Sequence, residues 1–159
     1  MERLLLERQW RIHLGQRELS EARVRNAVLP NFLDWIYHDR RRGMSFHFTQ
    51  ILTGHGCFRD YLYYIGRDVT SLCAHCEAGI DFAQPTLEEC VAWRVEKAEL
   101  KRMVGDDLTP SSLVRAMLET EENWTVAVYF ADSVMSQKET AERIRQAAGA
   151  ERHPVSLQG

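Results

Sequence analysis

The sequence predicts a mainly α fold: a small multi-helix domain with an embedded zinc-knuckle-like loop and a long C-terminal helix. Three observations lead to this prediction. Apolar residues recur at helical spacing through most of the 159 residues, and glycine or proline stands at the ends of these segments. The run Cys73-Ala-His75-Cys76, followed by Cys90, interrupts the helical pattern with a spacing typical of metal ligands.

Composition narrows the class of protein further. The chain is 45% hydrophobic and 27% charged, with a net charge of −3, as expected for a globular domain that does not bind nucleic acid mainly through phosphates. Four clustered cysteines do not form a secreted disulfide framework, and no apolar run approaches a signal peptide or a membrane span. We therefore expect an intracellular protein, nuclear or cytoplasmic, with no membrane contact.

The first part of the chain contains short helices. Residues 1–28 are expected to form an N-terminal linking helix or pair of helices, which ends at Leu29-Pro30 because the residue before proline is disfavoured in the α region. The densest positive charge follows, at Arg40, Arg41 and Arg42. Basic groups exceed acidic ones in residues 1–69, and the reverse holds in residues 70–159. The three arginines are either a phosphate contact or a solvated loop.

Residues 29–135 are expected to form the helical domain. Residues 44–52 alternate like a strand at first and then fit a helix, and we favour the helix because a glycine-rich break follows. Residues 58–65 form the next predicted helix. Thr86 with Glu89 resembles a capping box, which predicts one helix from there to Val104. Thr109-Pro110 predicts another helix start.

The last predicted helix begins near Glu121 and ends at Gly149. Its apolar stripe stops at Met135, so we expect residues 136–150 to form a polar extension that is solvated or binds a partner. Residues 151–159 are expected to be a disordered tail.

The cysteines supply the most specific chemistry. Cys73 and Cys76 can share one zinc ion, and Cys90 is expected near a helix N-terminus, which favours the thiolate. The fourth ligand is open between two histidines, a further cysteine, a carboxylate and water; the side chains considered are His75, His55, Cys57 and Asp81.

Catalysis has little support in the sequence. Gly105-Asp106-Asp107 lacks the flanking strands of a polymerase hairpin and reads as a helix cap with an acidic turn. The run Tyr129-Phe-Ala-Asp-Ser133 lacks the second aspartate of the reverse-transcriptase Tyr-x-Asp-Asp motif. His55 and Cys57 have no oriented base or oxyanion hole beside them. We expect a protein that is not an enzyme, with its tryptophans in the core.

Several motifs together resemble one family. They are the run from Phe48 to Leu62, the cysteine pair, Ala83-Gln-Pro-Thr-Leu-Glu-Glu-Cys90, Val91-Ala-Trp93, Val104-Gly-Asp-Asp-Leu108, Met117-Leu118 and Ser136-Gln-Lys-Glu139. Residues 28–146 in this way resemble the C-terminal region of the polymerase polyprotein of arthropod non-LTR retrotransposons that insert into ribosomal-RNA genes or telomeric repeats.

The resemblance implies a Cys-Cys-His-Cys knuckle that contacts RNA or DNA, downstream of a reverse transcriptase whose active site lies outside this chain. Cys73, Cys76 and Cys90 match three of the ligands, and Pro85 stands at the histidine position. We therefore expect a non-catalytic nucleic-acid-binding accessory domain with a degenerate zinc site. The alternative is a protein-interaction or oligomerisation module, acting through the C-terminal helix without metal or nucleic acid.

Overall fold

The computed structural model describes residues 21–38, 43–76 and 79–152. These residues are mostly helical, and their one extended pairing is an isolated antiparallel bridge between Leu72 and Ile80. The helices are α1 (described over 21–28), α2 (Phe32–Tyr37), α3 (Phe46–Thr53), α4 (Arg59–Tyr64), α5 (Ala83–Glu88), α6 (Arg94–Val104), α7 (Pro110–Glu119) and α8 (Glu121–Arg152). Short 3-10 turns, Leu29–Asn31 and Val91–Trp93, precede α2 and α6. The predicted mainly α fold with a long C-terminal helix is confirmed.

Helix α8 is the central packing element. Helices α3, α6 and α7 all contact it. Its buried stripe includes Ala127, Ala131, Val134 and Met135, each at most 1% exposed. The two alanines let neighbouring helices approach closely. The larger side chains that fill the space around them are Phe48, Ile51, Phe58, Leu87, Leu100, Leu113, Met117 and Trp124. Together these residues form one continuous core.

Local residues explain two helix starts, a capping serine at α3 and a proline at α7. Ser45 accepts a hydrogen bond from the Phe48 amide at 3.0 Å, and Gly54 ends α3 with φ of +72°. These caps decide the strand-or-helix ambiguity of this segment in favour of the helix. Helix α7 begins at Pro110 as predicted, with Thr109 as its N-cap residue but without a side-chain capping bond. Asp107 orders the turn before the helix by accepting from the Thr109 amide and the Ser112 hydroxyl.

The predicted single helix from Thr86 to Val104 is wrong. Helix α5 begins at Ala83, so Thr86 lies inside it, buried, and donates its hydroxyl to the Phe82 carbonyl at 2.9 Å. The chain then leaves the helix at Cys90, with φ −66° and ψ 117°, before α6 starts. The spacing of Thr86 and Glu89 satisfies a capping box, but the local sequence does not reveal this earlier start or the break.

The polar half of α8 also differs from the expected solvated extension. Lys138 is 2% exposed and Glu142 is 8% exposed, because both continue the inward stripe of the helix. The helix continues past Gly149 to Arg152. No helix among the described residues is long and apolar enough to cross a membrane.

Some predictions concern residues outside the described ranges. The first part of the linking helix (1–20), the cluster Arg40–Arg42 and the tail from 153 onward belong here. Of the tryptophans expected in the core, Trp93 and Trp124 are each 2% exposed, and Trp35 packs against the core while partly buried. Trp10 lies in the segment that is not described.

Candidate metal centre

A short hairpin presents the first two cysteines. The Cys73 amide donates to the Gly79 carbonyl at 2.7 Å, and the Asp81 amide donates to the Ser71 carbonyl at 2.9 Å. The isolated bridge between Leu72 and Ile80 lies between these bonds. The turn that follows Cys73 carries Cys76, so the hairpin holds both thiols on one small loop.

The break after α5 presents the third cysteine. The amides of Glu89 and Cys90 both donate to the Pro85 carbonyl, each at 2.8 Å. This paired bond closes the last turn of α5 and lets the backbone of Cys90 become extended. The backbone amide of Ala92 acts on the Cys90 thiol in the direction that lowers its pKa. A nearby backbone amide favours the thiolate form that a metal ligand requires.

The three sulfurs converge on one point. The Sγ atoms of Cys73, Cys76 and Cys90 all lie within 4.8 Å of one another, and those of Cys73 and Cys90 are 3.8 Å apart. Cys73 and Cys90 are 4% and 7% exposed, and Cys76 is half-buried. None of the four cysteines, all of which lie in described segments, forms a disulfide. These three close cysteines could hold a metal ion.

The cysteine cluster is largely buried, and the ammonium group of Lys97 is a positive charge near it. Burial raises the pKa of the Cys90 thiol to about 12, against the lowering effect of the Ala92 amide. Lys97, on α6, is 8% exposed. Burial lowers the pKa of Lys97, and the Cys90 and Cys76 sulfurs are charge partners that act in the opposite direction. The sequence indicates that Lys97 is buried, because its spacing from Trp93 and Leu100 puts it on the inward face of α6.

The structure places the four side chains considered as a fourth ligand elsewhere. The ring of His75 packs on Trp93, and the ring of His55 stacks on Tyr61, each with centroids 4.8 Å apart. Burial raises the pKa of the Cys57 thiol to about 11, and charged groups on α8 together with Asp81 also act on it. Among the described residues, the cluster of possible ligand atoms consists of the three cysteines alone.

Asp81, the fourth of these side chains, is fully engaged. Its Oδ1 atom accepts from the Lys138 ammonium at 2.5 Å, and its Oδ2 atom accepts from the Arg59 amide at 3.0 Å. The ammonium also lies 5.5 Å from the ring centroid of Phe58 and 5.6 Å from that of Trp93. This buried pair anchors the cysteine hairpin to α8.

Sequence reasoning missed the role of Lys138. The helical spacing of Ala131, Val134 and Lys138 indicates the position of the lysine. A lysine at that spacing lies on the same side of the helix as the apolar residues. The choice of Asp81 as its partner depends on the position of the hairpin, which no local pattern gives.

Comparisons with protein-family models, with curated proteins and with solved structures found no match. The resemblance to the retrotransposon polymerase region therefore stays a prediction from the motifs themselves.

Proposed function

We propose that this chain is a zinc-binding accessory domain without catalytic activity, in which Cys73, Cys76 and Cys90 hold a structural zinc ion. The observation that carries the proposal is the convergence of the three sulfurs within 4.8 Å. Thiolates are soft ligands that suit zinc, and three of them form most of a structural site.

The distance between the two buried sulfurs supports zinc. A tetrahedral ion with zinc–sulfur bonds of about 2.3 Å separates its sulfurs by about 3.8 Å. The Cys73 and Cys90 sulfurs are 3.8 Å apart, whereas a disulfide would bring them to about 2.0 Å. A contact between two thiols has a similar length, so the convergence of a third sulfur, that of Cys76, is the stronger argument.

Charge balance supports the same ion. Three thiolates and one divalent cation leave one net negative charge, and Lys97 lies close enough to the sulfurs of Cys90 and Cys76 to offset it. In the absence of an ion the buried thiol of Cys90 favours its protonated form, because burial raises its pKa. Zinc binding is then expected to release protons. A reducing, intracellular compartment would keep the thiols available.

Metal content tests the zinc proposal. Elemental analysis of the purified wild-type chain should give one zinc per chain, and Cys76→Ser should remove it. Cys57→Ser is the matched control, because Cys57 is outside the cluster and should leave the zinc content unchanged. Wild-type protein that stays metal-free after refolding with excess zinc would refute the proposal.

For the partner we propose RNA or DNA, bound weakly. The support is the cysteine spacing and the motif resemblance, together with the basic cluster Arg40–Arg42 in the more basic first half of the chain. Binding through such residues should weaken with salt, since each phosphate contact contributes a slope of about 0.7 to 0.9 in log affinity against log salt.

The partner is tested with single-stranded RNA and duplex DNA at several salt concentrations. Replacing Arg40, Arg41 and Arg42 together by Gln should reduce the affinity and flatten the salt dependence. The matched control replaces three arginines exposed elsewhere, Arg94, Arg115 and Arg143, which carry the same charge. Equal losses in the two variants would indicate a non-specific charge effect and contradict a site at 40–42.

The alternative, a protein-interaction module, has one structural observation in its favour. Helix α2 leaves Phe32, Leu33 and Tyr37 between 50% and 82% exposed, and Ile144 on α8 is 65% exposed. Sedimentation over a range of concentrations tests this alternative. A concentration-dependent oligomer without nucleic-acid binding would favour the interaction module over the nucleic-acid proposal.

A further inference from the structure

A cavity adjoins the three cysteines. It has a volume of about 520 Å³ and is bordered by Cys73, Cys76 and Cys90. The rest of the lining comes from the second arm of the hairpin, from α5 and from the residue after it, and includes Ile80, Phe82, Gln84, Pro85 and Glu89. Ile80 and Phe82 are 50% and 44% exposed, so the rim of the cavity is open to solvent and apolar on their side, while the exposed Glu89 adds a carboxylate to it.

Among the described residues, no further histidine, cysteine or carboxylate joins the cluster of the three sulfurs, although the Glu89 carboxylate lines the cavity. Pro85 has no donor atom in its side chain, and its carbonyl oxygen already accepts two amides, those of Glu89 and Cys90. Asp81, which also borders the cavity, is bound to Lys138 and to the Arg59 amide. Within the described residues, therefore, three ligands face a space large enough for another molecule.

The charges favour a neutral ligand in that space. Zinc with three thiolates already carries one net negative charge, and the sulfurs of Cys90 and Cys76 have Lys97 as a nearby cation. A fourth anionic ligand would leave a second negative charge without a partner, next to the Glu89 carboxylate in the cavity wall. An uncharged nitrogen donor adds no charge, and a flat aromatic ring suits the rim formed by Ile80 and Phe82.

We propose that the fourth coordination position of the Cys73–Cys76–Cys90 centre opens into this cavity and takes a neutral aromatic nitrogen donor of the imidazole class from outside the chain. Binding exchanges one ligand for another: a water leaves the zinc, and the nitrogen lone pair takes its place. No proton or electron is transferred. The inference rests on the proposed zinc site and goes beyond it, because it makes the metal a recognition site as well as a structural one.

The test uses the full chain without a histidine tag, loaded with cobalt(II) in place of zinc in a buffer free of thiols. Bound cobalt reports thiolate ligation through a sulfur-to-cobalt charge-transfer band and reports the fourth ligand through its ligand-field bands. The protein is titrated with free imidazole and, in a separate arm, with the peptide Gly-His-Gly against Gly-Ala-Gly.

We expect the ligand-field bands to shift saturably with imidazole while the charge-transfer band stays in place. A matching shift with the histidine peptide would identify a protein histidine as the source of the ligand, and a shift with imidazole alone would identify a small molecule. Pro85→His should show the shifted bands without any additive and respond at least about tenfold less to imidazole. Pro85→Ala should behave like the wild type.

Two failures are distinguishable. A charge-transfer band without any response to imidazole in the wild type and in Pro85→Ala means that the chain itself fills the fourth position, which overturns this inference and leaves the zinc site intact. The absence of a charge-transfer band means that the three cysteines bind no metal, which overturns the proposed function and the inference together. Neither reading depends on whether Pro85→His folds.

Discussion

Pro85 lies beside the three cysteines, in the wall of the cavity. It is the third residue of α5, where a backbone amide has no partner within the helix, so another residue can replace proline there without losing a helical hydrogen bond. Its carbonyl, which holds Cys90 in place, is kept by any substitution. The side chain at position 85 can therefore be changed with little effect on the backbone around the metal centre.

Pro85→His is expected to raise zinc affinity by at least about tenfold, because an imidazole at this position can complete a four-ligand site, and even outer-shell partners contribute about 10- to 100-fold. Competition with a chromophoric zinc chelator measures the change. Pro85→Ala serves as the control, since it removes the proline ring without adding a donor. Equal affinities of the His and Ala variants would contradict the expected geometry.

Asp68 is expected to stabilise the fold in a pH-dependent way. Its carboxylate receives two bonds of 2.8 Å from the Arg59 guanidinium, which holds the pKa of Asp68 below its ordinary value. A lowered pKa gives stabilisation that is present above about pH 4 and is lost as the pH falls through the folded-state pKa. Asp68→Asn should cost about 1–3 kcal/mol at pH 7 and progressively less as the pH falls below about 4.

Urea unfolding of Asp68→Asn at several pH values measures this effect. Asp106→Asn is the control, since Asp106 is exposed in the turn before α7 and should change the free energy of unfolding little at any pH. A loss for Asp68→Asn that is the same at pH 3 and pH 7 would show that the ionised carboxylate is not the source of the stability.

At the scale of elements, the contact between α8 and the cysteine hairpin joins the helical core to the metal centre. Lys138 extends from α8 to Asp81 at the end of the hairpin, and both side chains are at most 4% exposed. Asp81 also caps the start of α4 through the Arg59 amide. One buried carboxylate thus positions the hairpin, α4 and α8 with respect to one another.

Lys138→Met should destabilise the protein by about 3–5 kcal/mol, because it leaves the Asp81 carboxylate buried without its cation. Adding Asp81→Asn should restore part of the loss, since the double variant buries no unpaired charge. Thermal or urea unfolding measures both. Arg143→Met, an exposed position on the same helix, is the control and should be nearly neutral. A neutral Lys138→Met would mean that the buried pair contributes no net stability.

At the scale of the whole molecule, metal binding and folding should be coupled. The three ligands come from two separate elements, the hairpin and the end of α5, so an ion bound to all three links them in the folded state only. The core itself is formed mainly by α3, α6, α7 and α8, and we expect it to stay folded without metal.

Zinc at about one hundred times its dissociation constant should stabilise the chain by about 2.7 kcal/mol, which corresponds to a rise in Tm of about 5–10 °C. Calorimetry with zinc and then with a chelator measures the shift. Cys57→Ser should keep the response and Cys76→Ser should lose it. A chelator that leaves the Tm of zinc-treated wild-type protein unchanged would separate metal binding from stability and contradict this coupling.

Much of the fold could be predicted because its signals are local. Ser45, Gly54 and Pro110 each act on backbone groups within a few residues, so the bounds of α3 and the start of α7 follow from the sequence. The break at Cys90 could not be predicted in this way. Thr86 and Glu89 satisfy a local capping pattern, but packing buries Thr86 inside an earlier helix.

The sequence by itself determined the mainly helical class, the long last helix and the candidate ligands Cys73, Cys76 and Cys90, because periodicity and spacing depend on near neighbours in the chain. Only the tertiary structure decided which side chains meet. The sulfurs of Cys73 and Cys90 converge across 17 residues, and Lys138 reaches Asp81 across 57. Such contacts depend on how α5, the hairpin and α8 pack together, and the free energy of that packing is spread over the whole core rather than contained in any one segment.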